Sequence, residues 1–334
     1  MSQMEINFES LPTPRASAYV PLVVCCGVGV DSTAMLVGYK QRGIKPDLII
    51  FADVGAERRS TYDFFKVLNE WVKKTWGMEI VVVRYKCKDF KHWPAYHTIE
   101  ENVLTNCALP SIAYGFHKCS AKWKIAPICA YIEAWAPALV IWAAGGKVRK
   151  AIGFEFSPHE LKRSKRCSTF AVQEEERSQY DIEFPLQEWQ WNRERCLAEC
   201  AKEGLFPDKS SCYFCTAMKP VEVDALPVHS LKRIVIIEAR SRQRHLDYAE
   251  ERGWPAGPGK PMTEGIWRKR VKGMRGATPK PGSMTEYIRE KGLLPGEEID
   301  RLIAATPTRP LTQADFNVLG VSNWQDWLTK LCGN

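Results

Sequence analysis

The sequence predicts an α/β protein: a mostly parallel sheet with helices on both faces, then a smaller, mainly helical C-terminal appendage. Three observations lead there. Short apolar, β-branched runs alternate with segments of helical period through the first half, the pattern of strands joined by crossover helices. The first run ends in a glycine-spaced turn that opens directly into a helical pattern. From about Pro220 the alternation stops and helical patterns take over.

Taken in order, residues 22–26 read as a buried strand and residues 32–42 as a helix, broken by Gly43. A second apolar strand covers 47–52. Residues 61–74 carry apolar side chains at helical spacing through Tyr62, Phe65, Leu68 and Val72. Residues 79–85 form a third strand, 123–135 a helix and 148–154 a fourth strand. Helical patterns follow at 231–252, 284–291, 295–304 and 323–331, interrupted by a Gly/Pro-rich basic stretch at 253–283. The expected organisation is an N-terminal extension (1–20), an α/β domain (21–220) and a helical, basic appendage (221–334).

The chain has 334 residues, 45% of them hydrophobic, which suffices for one large domain or a domain with an appendage. No apolar run reaches the length of a membrane span, and no secretory signal layout opens the chain, so a cytoplasmic protein without membrane contact is expected. In that compartment 12 cysteines are expected to be reduced, metal-binding or catalytic. The net charge of +8 is unevenly placed. Arg268, Lys269, Arg270, Lys272 and Arg275 cluster near Lys260 and Lys280. Such a cluster suits nucleic-acid phosphates or simply a solvated surface.

The loop after the first strand is Gly27-Val28-Gly29-Val30-Asp31-Ser32, followed by Thr33. Gly27 and Gly29 lack a Cβ and let backbone approach an anion. Ser32 and Thr33 begin a helix whose free N–H groups and dipole attract phosphate. No Gly-Lys-Ser/Thr follows, so this is not a Walker A loop, and the third glycine of the dinucleotide fingerprint is missing. The residues alone fit a phosphate cradle or an ordinary strand–turn–helix junction. Asp53 ends the second strand, where its carboxylate can reach a ribose or a metal; the Gly55 beside it is equally a turn signal.

Cys212 and Cys215 form a Cys-x-x-Cys, a spacing at which two thiolates bind one metal centre from a tight turn. Two ligands are too few, so further cysteines are required, and two buried apolar thiols remain the plain alternative.

The loop resembles the PP-loop, Ser-Gly-Gly-x-Asp-Ser, of the ATP pyrophosphatases (adenine nucleotide α-hydrolases), with Gly27 and Val28 departing from the pattern. The segment Cys119-Ser120-Ala121-Lys122-Trp123-Lys124, ending at Pro127-Ile128, resembles the Cys-Cys-x-x-Arg-Lys-x-x-Pro-Leu of iron–sulfur sulfonucleotide reductases. Asp53-Val54-Gly55 with Thr61-Tyr62, Ile152-Gly153-Phe154-Glu155 with Glu160 and Arg163, and Pro185-Leu186 with Trp189 are similar to further family segments, in the same order. Residues 20–220 are thus identified as a member of the PAPS-reductase-like branch of PP-loop proteins, implying a Rossmann-like sheet. The chain looks most like the ATP-pyrophosphatase subunit of DNA phosphorothioation systems.

The resemblance implies a reaction and a site. ATP is cleaved between its α and β phosphates, and an adenylated oxygen becomes replaceable by sulfur. Gly27, Val28, Gly29, Val30, Asp31, Ser32 and Thr33 would hold the phosphates, Asp31 a Mg²⁺, and Asp53 and Gly153 the rest of the nucleotide. Lys122, Lys124 and Arg163 would stabilise charge on the α-phosphate. Cys119, Cys212 and Cys215 would ligate a 4Fe–4S cluster, with Cys107 or an open site as the fourth position and zinc as the alternative metal. DNA, a cysteine desulfurase and other modification subunits are the implied partners. A sulfonucleotide reductase is the alternative, although its Glu-Cys-Gly-x-His tail is reduced here to Cys332-Gly333. Loss of catalysis, leaving a nucleotide-binding module, and a zinc-stabilised nucleic-acid-binding protein are the remaining readings.

Overall fold

The structure, a computed structural model, describes residues 19–90, 92–110, 112–113, 116–169, 178–251, 253, 265–267 and 282–333. The basic stretch from Arg268 to Arg275, with Lys260 and Lys280, lies outside the described residues, as does most of the N-terminal extension.

Five parallel strands form the main sheet. In chain order, β1 (Leu22–Cys25), α1 (Val30–Gln41), β2 (Leu48–Ala52), α2 (Arg59–Trp76) and β3 (Val81–Val83) come first. After α3 (Ile99–Thr105), a two-stranded antiparallel ribbon joins β4 (Ile112–Ala113) to β5 (Phe116–His117). The sheet is completed by β6 (Val148–Ile152) and β7 (Tyr180–Glu183) in the order β3-β2-β1-β6-β7. Central β1 registers Val24 against Ile49 on one side and Ala151 on the other. Its residues are almost wholly buried, as expected of a parallel strand covered on both faces.

Side chains alternate between the two faces. Leu22 and Val24 join Met35, Val37, Leu68 and Val72 beneath α1 and α2. Val23, Ile50 and Val148 join Ile132 and Ala138 on the opposite face. Those two residues come from α4 (Ala126–Glu133) and α5 (Ala136–Ala143). The single helix expected over 123–135 is instead a π-helical turn (Ala121–Ile125) running into α4, and the segment Ala121–Glu133 meets α5 at a 69° bend. Pro137 explains the break: a proline is suited to a first helical turn and not to a helix interior.

Beyond β6 lie α6 (Pro158–Thr169), the short α7 (Pro185–Glu188) and α8 (Arg193–Lys202). The helical part follows: α9 (Pro220–Asp224), α10 (Val228–Glu251), α11 (Met284–Glu290), α12 (Gly296–Ala304), α13 (Gln313–Leu319) and α14 (Trp324–Cys332). Its core contains Ile234, Leu302, Trp324 and Leu328. The same cluster takes in Val54, Leu104, Trp123 and Phe214, so the helical part is packed onto the loops at one end of the sheet. Among the described residues no single helix is long and apolar enough to cross a membrane.

Candidate functional site

The chain runs from β1 outward to β2 and β3, then returns to place β6 on the other side of β1. The strand order therefore reverses between β1 and β6. Ligands of open α/β sheets bind in the crevice beyond the strand ends at such a switch point. Here that crevice is a cavity of about 830 Å³, lined by the loop after β1, the end of β6 and the segments around residues 160, 193, 210 and 220.

The loop is shaped by close approaches. Gly29 caps α1, and the Ser32 hydroxyl donates to its carbonyl at 3.1 Å while accepting its N–H at 3.3 Å. That leaves the first-turn N–H groups of α1 without helical acceptors at the mouth of the cavity. A Cβ on Gly153 would lie 3.0 Å from the backbone of Asp31 and Ser32, so β6 abuts the helix start only because residue 153 is glycine. Val28 has φ +57° although it is β-branched, and its side chain is buried. The left-handed conformation costs an L-residue roughly 1–2 kcal/mol.

Charge converges on the helix start. Arg193, in the first turn of α8, lies 2.8 Å from Asp31 and 2.8 Å from Glu155. Arg163 pairs with Glu160 at 2.7 Å, and its guanidinium covers the Phe154 ring. Burial pushes the Asp31 carboxyl up to about 6; Arg193 opposes the shift, and Glu155 and Glu160 add to it.

Gly27, Gly29, Val30, Asp31, Ser32, Lys124, Gly153 and Arg163 all face the cavity. The other nucleotide-site candidates are placed elsewhere. Val28 turns its side chain into the core. Thr33 is fully buried, and its hydroxyl has no hydrogen-bond partner. Asp53 is occupied structurally: it accepts from the Gly55 N–H and the Tyr62 hydroxyl at 2.8 Å each, and from Arg84 at 2.7 and 2.9 Å. Lys122 lies over the rings of Tyr85, Trp123 and Tyr96, at 4.9, 5.4 and 5.5 Å. Two residues apart in a helical turn, Lys122 and Lys124 leave on different sides, so only the second reaches the cavity.

The thiols lie next door. Cys119, Cys212 and Cys215 pack against one core cluster, and the Cys215 N–H donates to the Cys212 carbonyl at 3.1 Å. Burial, the largest effect, raises the thiols of Cys119 and Cys212 above their ordinary value. Lys124 feels Cys212 and Cys215 and pairs with the buried Glu57 at 2.9 Å. Burial works against its charge, but Glu57 and the thiols outweigh it and hold Lys124 above its ordinary value. Cys107 is not brought to this group: its ionisable neighbours are Arg240 and Arg244, because α3 carries it into the helical core. Among the described residues no three His, Cys, Asp or Glu side chains converge closely enough to share one metal ion. With Cys107 elsewhere, Cys119, Cys212 and Cys215 are the three thiols available to a multi-iron centre, which spans more space than one ion. Cys332 is buried in the helical core, its carbonyl held by Lys232 at 2.6 Å, and it does not line the cavity.

Glu155 belongs to one of the family-like segments, whereas Arg193, Lys209, Ser210, Lys219 and Glu222, which also line the cavity, lie in none of the motifs above. The available signal was the Lys209-Ser210-Ser211 run directly before the Cys-x-x-Cys. Neither protein-family models nor curated proteins returned a match to this chain.

Proposed function

We propose that this chain is an ATP pyrophosphatase of the PP-loop type, one that activates a substrate oxygen for replacement by sulfur. The observation that carries the reading is a shared wall. Lys124 lines the cavity and pairs at 2.9 Å with Glu57, whose backbone bridges directly to Cys212 of the thiol group. A phosphate cradle and a set of sulfur ligands are thus joined through one ion pair.

The proposed roles follow from placement. The loop and the α1 N-terminus bind the β and γ phosphates through backbone N–H groups. Lys124 and Arg163 stabilise charge that develops as an acceptor oxygen bonds to the α-phosphorus and pyrophosphate leaves. The terminal thiolate of a persulfide delivered by a cysteine desulfurase partner then displaces AMP, and a second thiol cleaves the resulting disulfide to release the sulfurated product, the two thiols ending as a disulfide. Asp31 fits a Mg²⁺ ligand: it lines the cavity, and its buried Oδ1 is held by the ion pair with Arg193 at 2.8 Å, a contact a cation can replace. Magnesium would neutralise phosphate charge there. Cys119, Cys212 and Cys215 would hold three corners of a 4Fe–4S cluster, supplying redox or sulfur chemistry; zinc, the alternative metal, would require the three thiols to converge further on one ion. The basic stretch at 268–275 supports DNA as acceptor, in a cytoplasmic modification system. The sulfonucleotide reductase alternative would require Cys332 to leave the helical core, and no contact favours that.

The test is anaerobic incubation of the full chain with Mg²⁺, DNA and α-labelled ATP, with iron, sulfide and zinc analysed on the same sample. AMP and pyrophosphate are expected. ADP and phosphate would overturn the bond assignment, and bound but uncleaved ATP would select a nucleotide-binding module. Iron with matching sulfide supports the cluster; zinc alone replaces it.

A further inference from the structure

We propose that Ser210 is a phosphate-anchoring residue of the nucleotide cavity, reaching the glycine loop from the side opposite α1. The inference rests on the nucleotide-binding reading and deepens it.

Ser210 belongs to a segment without helix or strand, but it is fixed in place. The Arg58 N–H donates to the Ser211 carbonyl at 3.1 Å, and the Tyr213 N–H to the Ala56 carbonyl at 3.1 Å. An antiparallel bridge joins Glu57 to Cys212 between them. These bonds hold the strap against the segment that follows β2, and Ser210 comes up beside the loop after β1. A Cβ on Gly29 would sit 2.7 Å from the Ser210 hydroxyl oxygen and 3.3 Å from its backbone nitrogen, and one on Gly27 would sit 3.8 Å from the hydroxyl. Gly29 is therefore bare at the point where Ser210 arrives, and both polar groups of Ser210 stand over the loop.

Ser210 is also the hydroxyl with capacity to spare. Ser32 is bonded both ways to Gly29, and Thr33 is sealed in the core. Ser210 lines the cavity, and neither its N–H nor its hydroxyl hydrogen-bonds to another described residue. Two donors beside a helix N-terminus suit an anion rather than a base or a sugar edge. Lys209 lines the same wall, while its ammonium is shared with Glu222 at 2.8 Å. The ligand class is a polyphosphate, gripped between the α1 N-terminus and the strap.

The test compares the wild-type chain, Ser210→Ala and Ser211→Ala for binding of ATP, inorganic tripolyphosphate and adenosine by calorimetry. Ser211 is the control, since its buried hydroxyl has no partner and does not line the cavity. Losing one hydrogen bond to a charged oxygen should weaken ATP and tripolyphosphate roughly tenfold in Ser210→Ala. Adenosine binding should not change, and Ser211→Ala should behave as wild type. Equal ATP affinity in Ser210→Ala and wild type would overturn the proposal, as would an equal loss for adenosine, which marks a general disturbance. If the wild type bound neither ATP nor tripolyphosphate, the nucleotide reading itself would fall and take this inference with it.

Discussion

Arg193 lies 2.8 Å from Asp31, joining the first turn of α8 to the first turn of α1 across the cavity mouth, and its Nε reaches Glu155 at 2.8 Å. The arginine side chain is half exposed while both carboxylates are largely buried. Arg193→Ala takes the cation away from two largely buried carboxylates and should lower the urea midpoint. It would also leave two carboxylates facing an incoming polyphosphate, so ATP affinity should fall about tenfold. Asp31 should also titrate at higher pH, because Arg193 opposes its upward shift. Calorimetry and carboxyl NMR read the two effects; unchanged ATP affinity would remove Arg193 from the nucleotide site.

Val28 separates strain from packing. Burying its side chain contributes about 1.5–3 kcal/mol, against the roughly 1–2 kcal/mol cost of its left-handed backbone. Val28→Ala loses most of the packing and keeps the strain. Val28→Gly loses slightly more packing and releases the strain. The glycine variant should therefore be the more stable of the two in denaturant titrations, and the reverse order would show that the backbone there is not strained.

Glu238 is the anchor of the helical part. Its carboxylate accepts from the N–H groups of Ile266, Met284 and Thr285 and from the hydroxyls of Ser283 and Thr285, at 2.6–2.9 Å. Glu238→Ala strands these donors around a hole and should cost more than about 3 kcal/mol. Glu238→Gln turns an N–H toward other donors and should also destabilise, by about 1–3 kcal/mol. Urea unfolding measures both, and a loss below about 0.5 kcal/mol in each would contradict this anchoring role.

Glu298 sets an acid-side dependence. The Arg301 hydrogen bond and then that of Lys232 lower its carboxyl from about 4.5 to about 2. The folded state therefore holds fewer protons than the unfolded chain between these values. The stabilisation is complete above the ordinary glutamate range and is lost as pH falls through about 2. Glu298→Gln should flatten the stability profile over that interval in thermal melts. A profile identical to wild type would mean the ion pairs contribute nothing.

The sequence by itself determined the parts whose causes are local. β-branched runs predicted strands at 22–26, 47–52 and 148–154, and the structure has Leu22–Cys25, Leu48–Ala52 and Val148–Ile152. The glycine spacing marked the loop that lines the cavity, because backbone freedom is written into single residues. The strand expected over 79–85 spans only Val81–Val83, and β7 carries no comparable apolar run; both are edge strands whose extent depends on a neighbour. Only the tertiary structure decided which side chains meet. It put Lys124 on the cavity and Lys122 among aromatic rings, took Cys107 away from the other thiols, spent Asp53 on Arg84 and Tyr62, and brought Arg193 and Ser210 to the helix start. Residues 31 and 193 are far apart along the chain, and periodicity reports neighbours within a few turns. Contact between such residues depends on strand order and on the close approach of backbones at Gly29 and Gly153, and neither is encoded in any short window of sequence.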